Sequence, residues 1–382
     1  MVSVMGKRGL FLVWLCLVSI LPGMAQTEKL IDYVNPFVGT DGYGNVYPGA
    51  QIPFGGIQMS PDTDSKYYDA ASGYKYNHST LLGFSLTHLS GTGIPDLGDF
   101  LFIPGTGEMK LDPGTREEPE KGYRSRYSHE KEWASPNYYA VELADYGVKA
   151  EMTSGVRSGM FRFTYPQSDK AFIMIDMNHT LWQSCEWANL RMENDSTITG
   201  YNLVKGWGPE RHIYFTATFS KKLTGLRFMQ NKKPVIYNTS RFRSSYEAWG
   251  KNLMACISFE AAEGEEIIVK TAASAVSTAG ATLNLQELNG MTFDSLREKG
   301  VSLWEQELAK YQIEAEPEFV LIVDCFLKRL ILFLHSTNHR HHLVPVRCMS
   351  VRLIPDLQLH TILLFCPEEI LFVRVPLPVG WQ

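Results

Sequence analysis

The chain has 382 residues, enough for two domains, and its composition is that of an ordinary globular protein. Its formal net charge of −5 gives no reason to expect nucleic acid or an anionic membrane surface as a partner. Aromatic residues make up 12% of the sequence, and such rings fill cores or, less often, form flat platforms for ligands.

Residues 1–25 have the pattern of a secretory signal peptide. Lys7 and Arg8 form a basic end, residues 10–21 are apolar and uncharged, and residues 23–25 form a small-x-small cleavage site. The apolar run is too short for a good membrane span, and the residues before Cys16 make a poor lipoprotein signal. We therefore expect a secreted or periplasmic protein, cleaved near Ala25 and lacking a membrane span.

Residues 31–76 alternate short apolar patches with glycine and proline, which is typical of loops. No GxxxxGK[ST] pattern is present, so these glycines do not indicate a phosphate loop. Residues 66–76 gather four tyrosines, including Tyr68 and Tyr74, around Asp69. A tyrosine ring can stack on a sugar while its hydroxyl bonds to it, although the same rings can instead cover the domain's own surface.

Residues 83–99 (GFSLTHLSGTGIPDLGD) form a polar, glycine-rich stretch between two apolar runs. The side chains of His88, Ser90, Thr92, Asp96 and Asp99 are crowded into this short segment. Such a loop suits the binding of a polyol. The alternative is a structural loop whose polar groups satisfy its own backbone.

From residue 99 to about residue 277 the sequence has the pattern of antiparallel strands. Apolar runs recur without intervening helices at residues 99–104, 138–143, 148–152, 160–165, 171–177, 198–203, 212–219, 253–259 and 265–272. Residues 145–147 are typical of a hairpin turn. We predict a mainly β fold, in which residues 26–280 form a large antiparallel β-sandwich.

Residues 292–312 change to a helical period, with Leu296, Trp304 and Leu308 on one face and Thr292 or Asp294 as the N-cap. We predict a short helical linker over residues 281–317. Before residue 317 the mature chain has only Cys185 and Cys256, which we expect to be free buried thiols rather than a disulfide.

The composition changes abruptly at residue 318. Gly380 is the one glycine of residues 318–382, and this segment contains no tyrosine. Half of the chain's cysteines and histidines lie there, without the spacing of a zinc site. We expect an unstructured or aberrant tail, read out of frame, in place of the true continuation.

Several of the stretches above occur together in the order found in glycoside hydrolase family 92. They are NPFVGT (35–40), YPGA (47–50), PFG (53–55), QMSPD (58–62), SGYKY (72–76) and residues 83–99. The chain from about residue 31 to about residue 312 resembles the N-terminal domain of that family. Its members are calcium-dependent, exo-acting, inverting α-mannosidases, and the family is common in bacteria that digest glycans.

The resemblance implies that this domain supplies loops to a mannose pocket and that its partners are α-mannoside glycans. The implied substrate-binding residues are Tyr68, Asp69, Tyr74, His88, Ser90, Thr92 and Asp96. The family's catalytic acid and base, and most of its calcium ligands, belong to a C-terminal barrel that this chain lacks. We therefore assign no catalytic residue and no metal ligand here. Asp96 and Asp99 could form a substitute catalytic pair, but their spacing would put both on one side of a sugar.

Two functions follow from these observations. The chain is either the N-terminal domain of an α-mannosidase, inactive alone, or a stand-alone exported, lectin-like carbohydrate-binding module. We expect the first.

Overall fold

The computed structural model describes residues 29–65, 70–235 and 247–310, together with the backbone of three strands between residues 351 and 375. The signal peptide predicted for residues 1–25 lies outside the described residues. Among those that are described, no helix is long and apolar enough to cross a membrane.

Eighteen strands lie between residues 60 and 274. In chain order they are β1 (Ser60–Asp62), β2 (Thr80–Leu81), β3 (Gly83–Ser85), β4 (Leu101–Thr106), β5 (Ser125–Arg126), β6 (Glu132–Ser135), β7 (Tyr138–Leu143), β8 (Val148–Ser154), β9 (Ser158–Tyr165), β10 (Ser168–Asp176), β11 (Ser184–Asn194), β12 (Thr197–Lys205), β13 (Arg211–Phe219), β14 (Gly225–Gln230), β15 (Lys233–Pro234), β16 (Glu247–Gly250), β17 (Leu253–Ala261) and β18 (Glu265–Ser274).

These strands form two large antiparallel sheets and a short ribbon. The seven-stranded sheet has the order β1-β3-β4-β10-β17-β14-β15, and the nine-stranded sheet has the order β16-β11-β12-β13-β18-β9-β8-β7-β6. β2 pairs with β5. The predicted mainly β, antiparallel fold is confirmed.

Alternation along the strands builds the core between the two sheets. On β9, Phe161 and Phe163 point inward and are fully buried, whereas Arg162 between them faces outward. Phe161 packs on Phe84 and Phe102 of the opposite sheet, with ring centroids 6.4 and 4.9 Å apart. The apolar pattern of these strands is therefore the pattern of one buried face per sheet.

Two helices cover part of the outer face of the nine-stranded sheet. They are α1 (Thr278–Leu285) and α2 (Phe293–Leu308). The Thr292 hydroxyl accepts a hydrogen bond from the Ser295 amide, which confirms Thr292 as the N-cap of α2. Leu296 and Trp304 of α2 are buried, as their helical spacing predicted. Short 3₁₀ turns occur at Leu30–Tyr33, Pro119–Lys121, His129–Lys131 and Gln286–Leu288.

Nine of the eighteen strands between residues 60 and 274 lie outside the predicted runs: β1, β2, β3, β5, β6, β11, β14, β15 and β16. In β11 the pairing register with β12 shifts between Cys185 and Trp187, so a bulge breaks the alternation by which a strand is read from sequence. Cys185 itself is buried and unpaired, as is Cys256, which agrees with the expectation of two free thiols.

Three strands of the tail are described, at Val351–Leu353, His360–Cys366 and Glu369–Val375. They pair antiparallel with one another and join neither of the large sheets. The other residues of the segment 318–382, which was expected to be aberrant, lie outside the described residues.

Candidate functional site

The motif-bearing segments meet at one end of the seven-stranded sheet. Ser85 ends β3, Leu101 begins β4 and Asp176 ends β10. The pairing of Phe84 with Phe102, and of Leu101 with Asp176, places these three strand ends side by side. The loops that leave them carry most of the polar residues of the predicted site.

A buried carboxylate, Asp62, is the centre of this end. Its two oxygens lie 2.8 Å from Nε2 of His88 and 2.7 Å from Nε2 of His179, and the Ser85 hydroxyl donates to it at 2.7 Å. Burial by itself raises the pKa of this carboxyl, but the two adjoining imidazoles outweigh burial and hold the pKa well below its usual range. Gly73 packs directly on the carboxylate, where any Cβ would overlap it.

His88 is fixed on both sides of its ring. Its Nδ1 lies 2.6 Å from the carbonyl oxygen of Gln58, which can only accept, while its Nε2 faces the Asp62 carboxylate. Both ring nitrogens therefore lie against hydrogen-bond acceptors. The side chains of His88 and Asp62 are both fully buried, so this pair is an internal brace of the loop.

A second carboxylate, Asp99, anchors the other end of residues 83–99. Its Oδ2 accepts hydrogen bonds from the Thr87 hydroxyl at 2.6 Å and from Nη1 of Arg211 at 2.5 Å. Its Oδ1 is buried and has no partner among the described residues. Asp96 lies 3.8 Å from the same guanidinium. Asp96 and Asp99 thus lie on one side, as expected, and share one cation, which disfavours them as a catalytic acid and base.

The tip of the stretch is tied to the neighbouring glycine-rich loop. The Asn45 carbonyl accepts a hydrogen bond from the Gly91 amide at 2.7 Å and another from the Ser72 hydroxyl. Gly91 has a φ of 75°, in the left-handed region that favours glycine. Two of the quoted motifs, residues 72–76 and residues 83–99, are in this way joined through Asn45.

Tyr74 lies in a third buried polar group, which is centred on Glu132. The Glu132 carboxylate accepts from the hydroxyls of Tyr74 at 2.9 Å and Tyr139 at 2.5 Å, and it contacts Nδ1 of His129 at 2.6 Å. Burial raises the pKa of both tyrosines well above the ordinary value, so both remain donors. The exposed ring of this group is Tyr76, which stacks on His129 at 4.0 Å.

The predicted substrate-binding residues therefore lie in different surroundings. Tyr74 and His88 are buried and have internal partners. Ser90 and Thr92 are partly exposed, and the Thr92 hydroxyl donates to the Ile94 carbonyl at 2.7 Å within its own turn. Asp96 is partly buried and accepts from the Leu97 amide. Tyr68 and Asp69 lie outside the described residues. A sugar contact by any of the seven stays a prediction.

Sequence reasoning did not select several residues of this end. Asp62 belongs to a quoted motif, and His179 and Arg211 lie more than 110 positions farther along, so no local pattern links them. Three tryptophans between residues 178 and 208 are 60%, 46% and 67% exposed; they are Trp182, Trp187 and Trp207.

The carboxylates at this end of the sheet are not arranged as calcium ligands. That ion takes several oxygen ligands from carboxylates and carbonyls that are free to turn toward it. Asp62, Asp99 and Glu132 are instead engaged by imidazole, guanidinium and phenol groups. Within residues 29–310, as far as they are described, no group of three His, Cys, Asp or Glu is placed to hold a metal ion.

Comparison with known proteins matches this chain to one family. A sequence model described as the glycosyl hydrolase family 92 N-terminal domain matches residues 33–274. Among curated proteins, an uncharacterized secreted glycosidase of Arthroderma benhamiae is 30% identical over 147 residues, which are 38% of this chain and 19% of that protein.

Solved structures give the same result. A family GH92 α-mannosidase of Bacteroides thetaiotaomicron is 82% identical, with a TM-score of 0.77, over 79% of this chain and 41% of that one. Its complex with mannoimidazole matches with a TM-score of 0.76 over 78% of this chain and 39% of that one. A family GH92 inverting mannosidase of the same organism, at 20% identity, shares the fold with a TM-score of 0.68 over 91% of this chain and 43% of that one. The chain thus spans less than half the length of each of these relatives.

Proposed function

The chain belongs to glycosyl hydrolase family 92, and we propose that it is the N-terminal domain of an exported α-mannosidase that binds terminal α-mannosides. The observation that carries this proposal is the 82% identity to an α-mannosidase over 79% of the chain. The description of a curated relative as a secreted glycosidase supports export.

In this proposal the described loops position a sugar and perform no proton transfer. Residues 83–99 are braced at His88, at Gly91 and at Asp99, each through a partner from another segment. A loop that is fixed before the substrate arrives loses little entropy on binding, and this is how positioning groups assist a reaction. The partly exposed groups between the braces, Ser90 and Thr92, are the ones left to face a ligand.

Hydrolysis would require a catalytic pair, which the carboxylates of the described loops do not form. An inverting glycosidase places a general acid and a general base on opposite faces of the sugar, with room for a water. Asp62 and Asp99 are fully buried and engaged by imidazole and guanidinium groups, and Asp96 shares the guanidinium of Arg211 with Asp99. We therefore propose that the catalytic pair, together with the calcium site, belongs to the catalytic part of the parent enzyme and that this chain alone is inactive.

A stand-alone lectin-like module is the less favoured function. The family GH92 mannosidase structures above match this chain over about two fifths of their length, which supports an enzyme domain rather than an independent module.

The test compares the chain with a chimera. Residues 1–310 of this chain would replace the matching N-terminal portion of the 82% identical mannosidase. We expect the chimera to release mannose from an α-mannobioside and the chain alone to release none, with calcium or with a chelator. The catalytic portion without any N-terminal domain is the control.

Two results would contradict the proposal. One is a folded chimera that cleaves another glycoside but no mannoside. The other is turnover by the chain alone that disappears in Asp96→Asn or Asp99→Asn, since this would place the catalytic pair in residues 83–99.

A further inference from the structure

A concave cleft of about 330 Å³ lies beside the candidate site, where residues 177–183 join the two sheets. Its walls include Ser65, Tyr123, Asp176, Asn178 and Trp182. This volume is at the lower end of the range of roughly 300–1,000 Å³ that is usual for small-molecule sites. A second cleft of about 450 Å³ continues from it and shares Asp176 and Asn178. The two together have room for more than one small ring.

Trp182 forms an exposed wall of this cleft. Its side chain is 60% exposed, and its φ of 61° is unusual for a residue other than glycine. The Trp182 amide donates to the Ser65 carbonyl at 2.8 Å, which holds the backbone in that conformation. Exposure of a large apolar ring and a left-handed backbone both cost free energy, and such costs are concentrated at functional sites. The fold therefore holds the backbone of Trp182 and presents its indole to solvent.

Other residues that line the cleft supply acceptors for hydroxyl groups. Asp176 accepts from the Asn178 amide at 2.8 Å and from the Tyr123 hydroxyl at 3.1 Å, one on each carboxylate oxygen. Each carboxylate oxygen can accept a further hydrogen bond. The Asn178 side chain is exposed, and the Ser65 side chain is partly exposed. A flat apolar face and several polar groups in one cleft suit a pyranose ring, which has apolar C–H faces and a polar rim.

The cleft is joined to residues 83–99. The Leu181 amide donates to the Leu97 carbonyl at 2.9 Å, and the side chain of Leu181 packs on Gly98. His179, whose ring contacts Asp62, also lines the cleft. A ligand in the cleft would thus adjoin the loops that form the candidate site.

We propose that this cleft is a sugar-binding subsite in which a pyranose unit of an α-mannoside glycan stacks on Trp182 and donates hydroxyl hydrogen bonds to Asp176. The choice of mannose rests on the function proposed above. The presence of a sugar subsite rests on the cleft itself.

The test is titration of the full 382-residue chain with α-mannobiose, and in parallel with maltose and lactose, by isothermal titration calorimetry. We expect Trp182→Ala to weaken mannobiose binding roughly tenfold or more, which corresponds to about 1.4 kcal/mol. Trp182→Phe keeps a ring and should retain most of the affinity, and Asp176→Asn should weaken binding while the protein stays folded. Trp187→Ala is the matched control, because Trp187 is exposed on β11 and outside the cleft.

The outcomes separate the two proposals. Equal affinity in the wild type, Trp182→Ala and Asp176→Asn would overturn the subsite, and so would a wild-type chain that binds none of the three sugars. If the wild type binds maltose or lactose through Trp182 but ignores mannobiose, the subsite stands and the mannoside function fails. Should Trp182→Ala not fold, the comparison of Trp182→Phe with Asp176→Asn decides the question.

Discussion

At the scale of single residues, the candidate site depends on buried charges that brace loops. Asp62 illustrates this, because one fully buried carboxylate joins β1, residues 83–99 and the loop after β10 through Ser85, His88 and His179. Burying a charge is costly unless partners surround it, and here three donors do so.

Replacing Asp62 by Asn should therefore destabilise the folded protein. Loss of one partner of a buried ion pair costs about 3–5 kcal/mol, and we expect a decrease of about 3 kcal/mol in the free energy of unfolding, measured with urea at neutral pH. Because the folded-state pKa of Asp62 is depressed, its contribution is present above about pH 4, the ordinary carboxyl value, and is lost as the pH falls below it.

The matched control for that variant is Asp96→Asn. Asp96 is less buried than Asp62 and lies 3.8 Å from Arg211. The side-chain oxygen of an asparagine at this position can still accept the hydrogen bond from the backbone N–H of Leu97. We expect a loss below about 1 kcal/mol for this change. Equal losses in the two variants would show that the Asp62 cluster contributes no more to stability than the contact between Asp96 and Arg211.

Residue types and local motifs were enough to predict His88 as a site residue and to single out residues 58–62, the motif that contains Asp62. They could not reveal that Asp62 contacts His179, 117 positions farther along the chain, because that contact exists only after β10 has paired with β4. The same applies to Tyr74. Its ring was read as a platform for a sugar, whereas the fold buries it and directs its hydroxyl to Glu132.

At the scale of elements, α2 is joined to the nine-stranded sheet through a charged pair. The buried Glu151 of β8 accepts two hydrogen bonds from Arg162 of β9, both at 2.9 Å, and Arg162 then reaches Asp294 of α2 at 3.2 Å. The Arg162 guanidinium also lies 4.3 Å from the ring centroid of Phe293. One arginine thus links two strands and a helix.

Glu151→Gln should weaken this joint in a pH-dependent way. Burial opposes ionisation of Glu151, but hydrogen bonds from Arg162 and Tyr138 lower its pKa from 4.5 to about 2. A depressed carboxyl pKa stabilises the fold above about pH 4.5 and loses this effect as the pH falls toward 2. We expect the variant to lose about 2 kcal/mol at pH 7 by urea unfolding, and the difference to shrink at pH 3.

Glu266→Gln is the control for the same arginine. The Glu266 carboxylate is 54% exposed and lies 3.9 Å from Arg162. Its replacement should change stability by less than about 0.5 kcal/mol at both pH values. A loss at pH 7 as large as that of Glu151→Gln would contradict the assignment of the joint to Glu151.

Gly300 of α2 tests the packing of helix on sheet. Helix propensity alone predicts that Gly300→Ala stabilises an exposed helix by roughly 1 kcal/mol. Here a Cβ would overlap the amide of Asn137, which is fixed by hydrogen bonds to Thr153 and Ser154. We expect destabilisation by about 1–3 kcal/mol in thermal unfolding, and a neutral or stabilising effect for Ser302→Ala on the exposed face. A gain in stability for Gly300→Ala would show that Asn137 can move.

The elements themselves were largely predictable where alternation or a cap was clean. β7 was predicted with its observed bounds, Tyr138–Leu143, and Thr292 was predicted as the N-cap of α2. β11 was missed because a bulge just before the exposed Trp187 and the buried Ala188 breaks the alternation of exposed and buried residues along the strand. Edge strands such as β16 are too short for a periodic signal.

At the scale of the whole molecule, the described tail strands form a sheet separate from the two sheets of the sandwich. They pair only with one another among the strands that are described. Deletion of residues 318–382 should therefore leave the melting temperature of the sandwich unchanged or raise it, as measured by differential scanning calorimetry. A large drop would show that the tail packs on the domain and would remove the case for an out-of-frame segment.

The contact between Glu305 and the start of the described chain has a topological consequence. Glu305, near the end of α2, accepts hydrogen bonds from the amides of Leu30 and Ile31 at 3.3 and 2.7 Å. The polypeptide thus enters and leaves the sandwich at neighbouring points. Segments attached before residue 29 and after residue 310 therefore start from neighbouring points on the sandwich. The roughly 280 residues between them form a closed excursion of the chain, so the sandwich does not separate the two flanking segments in space.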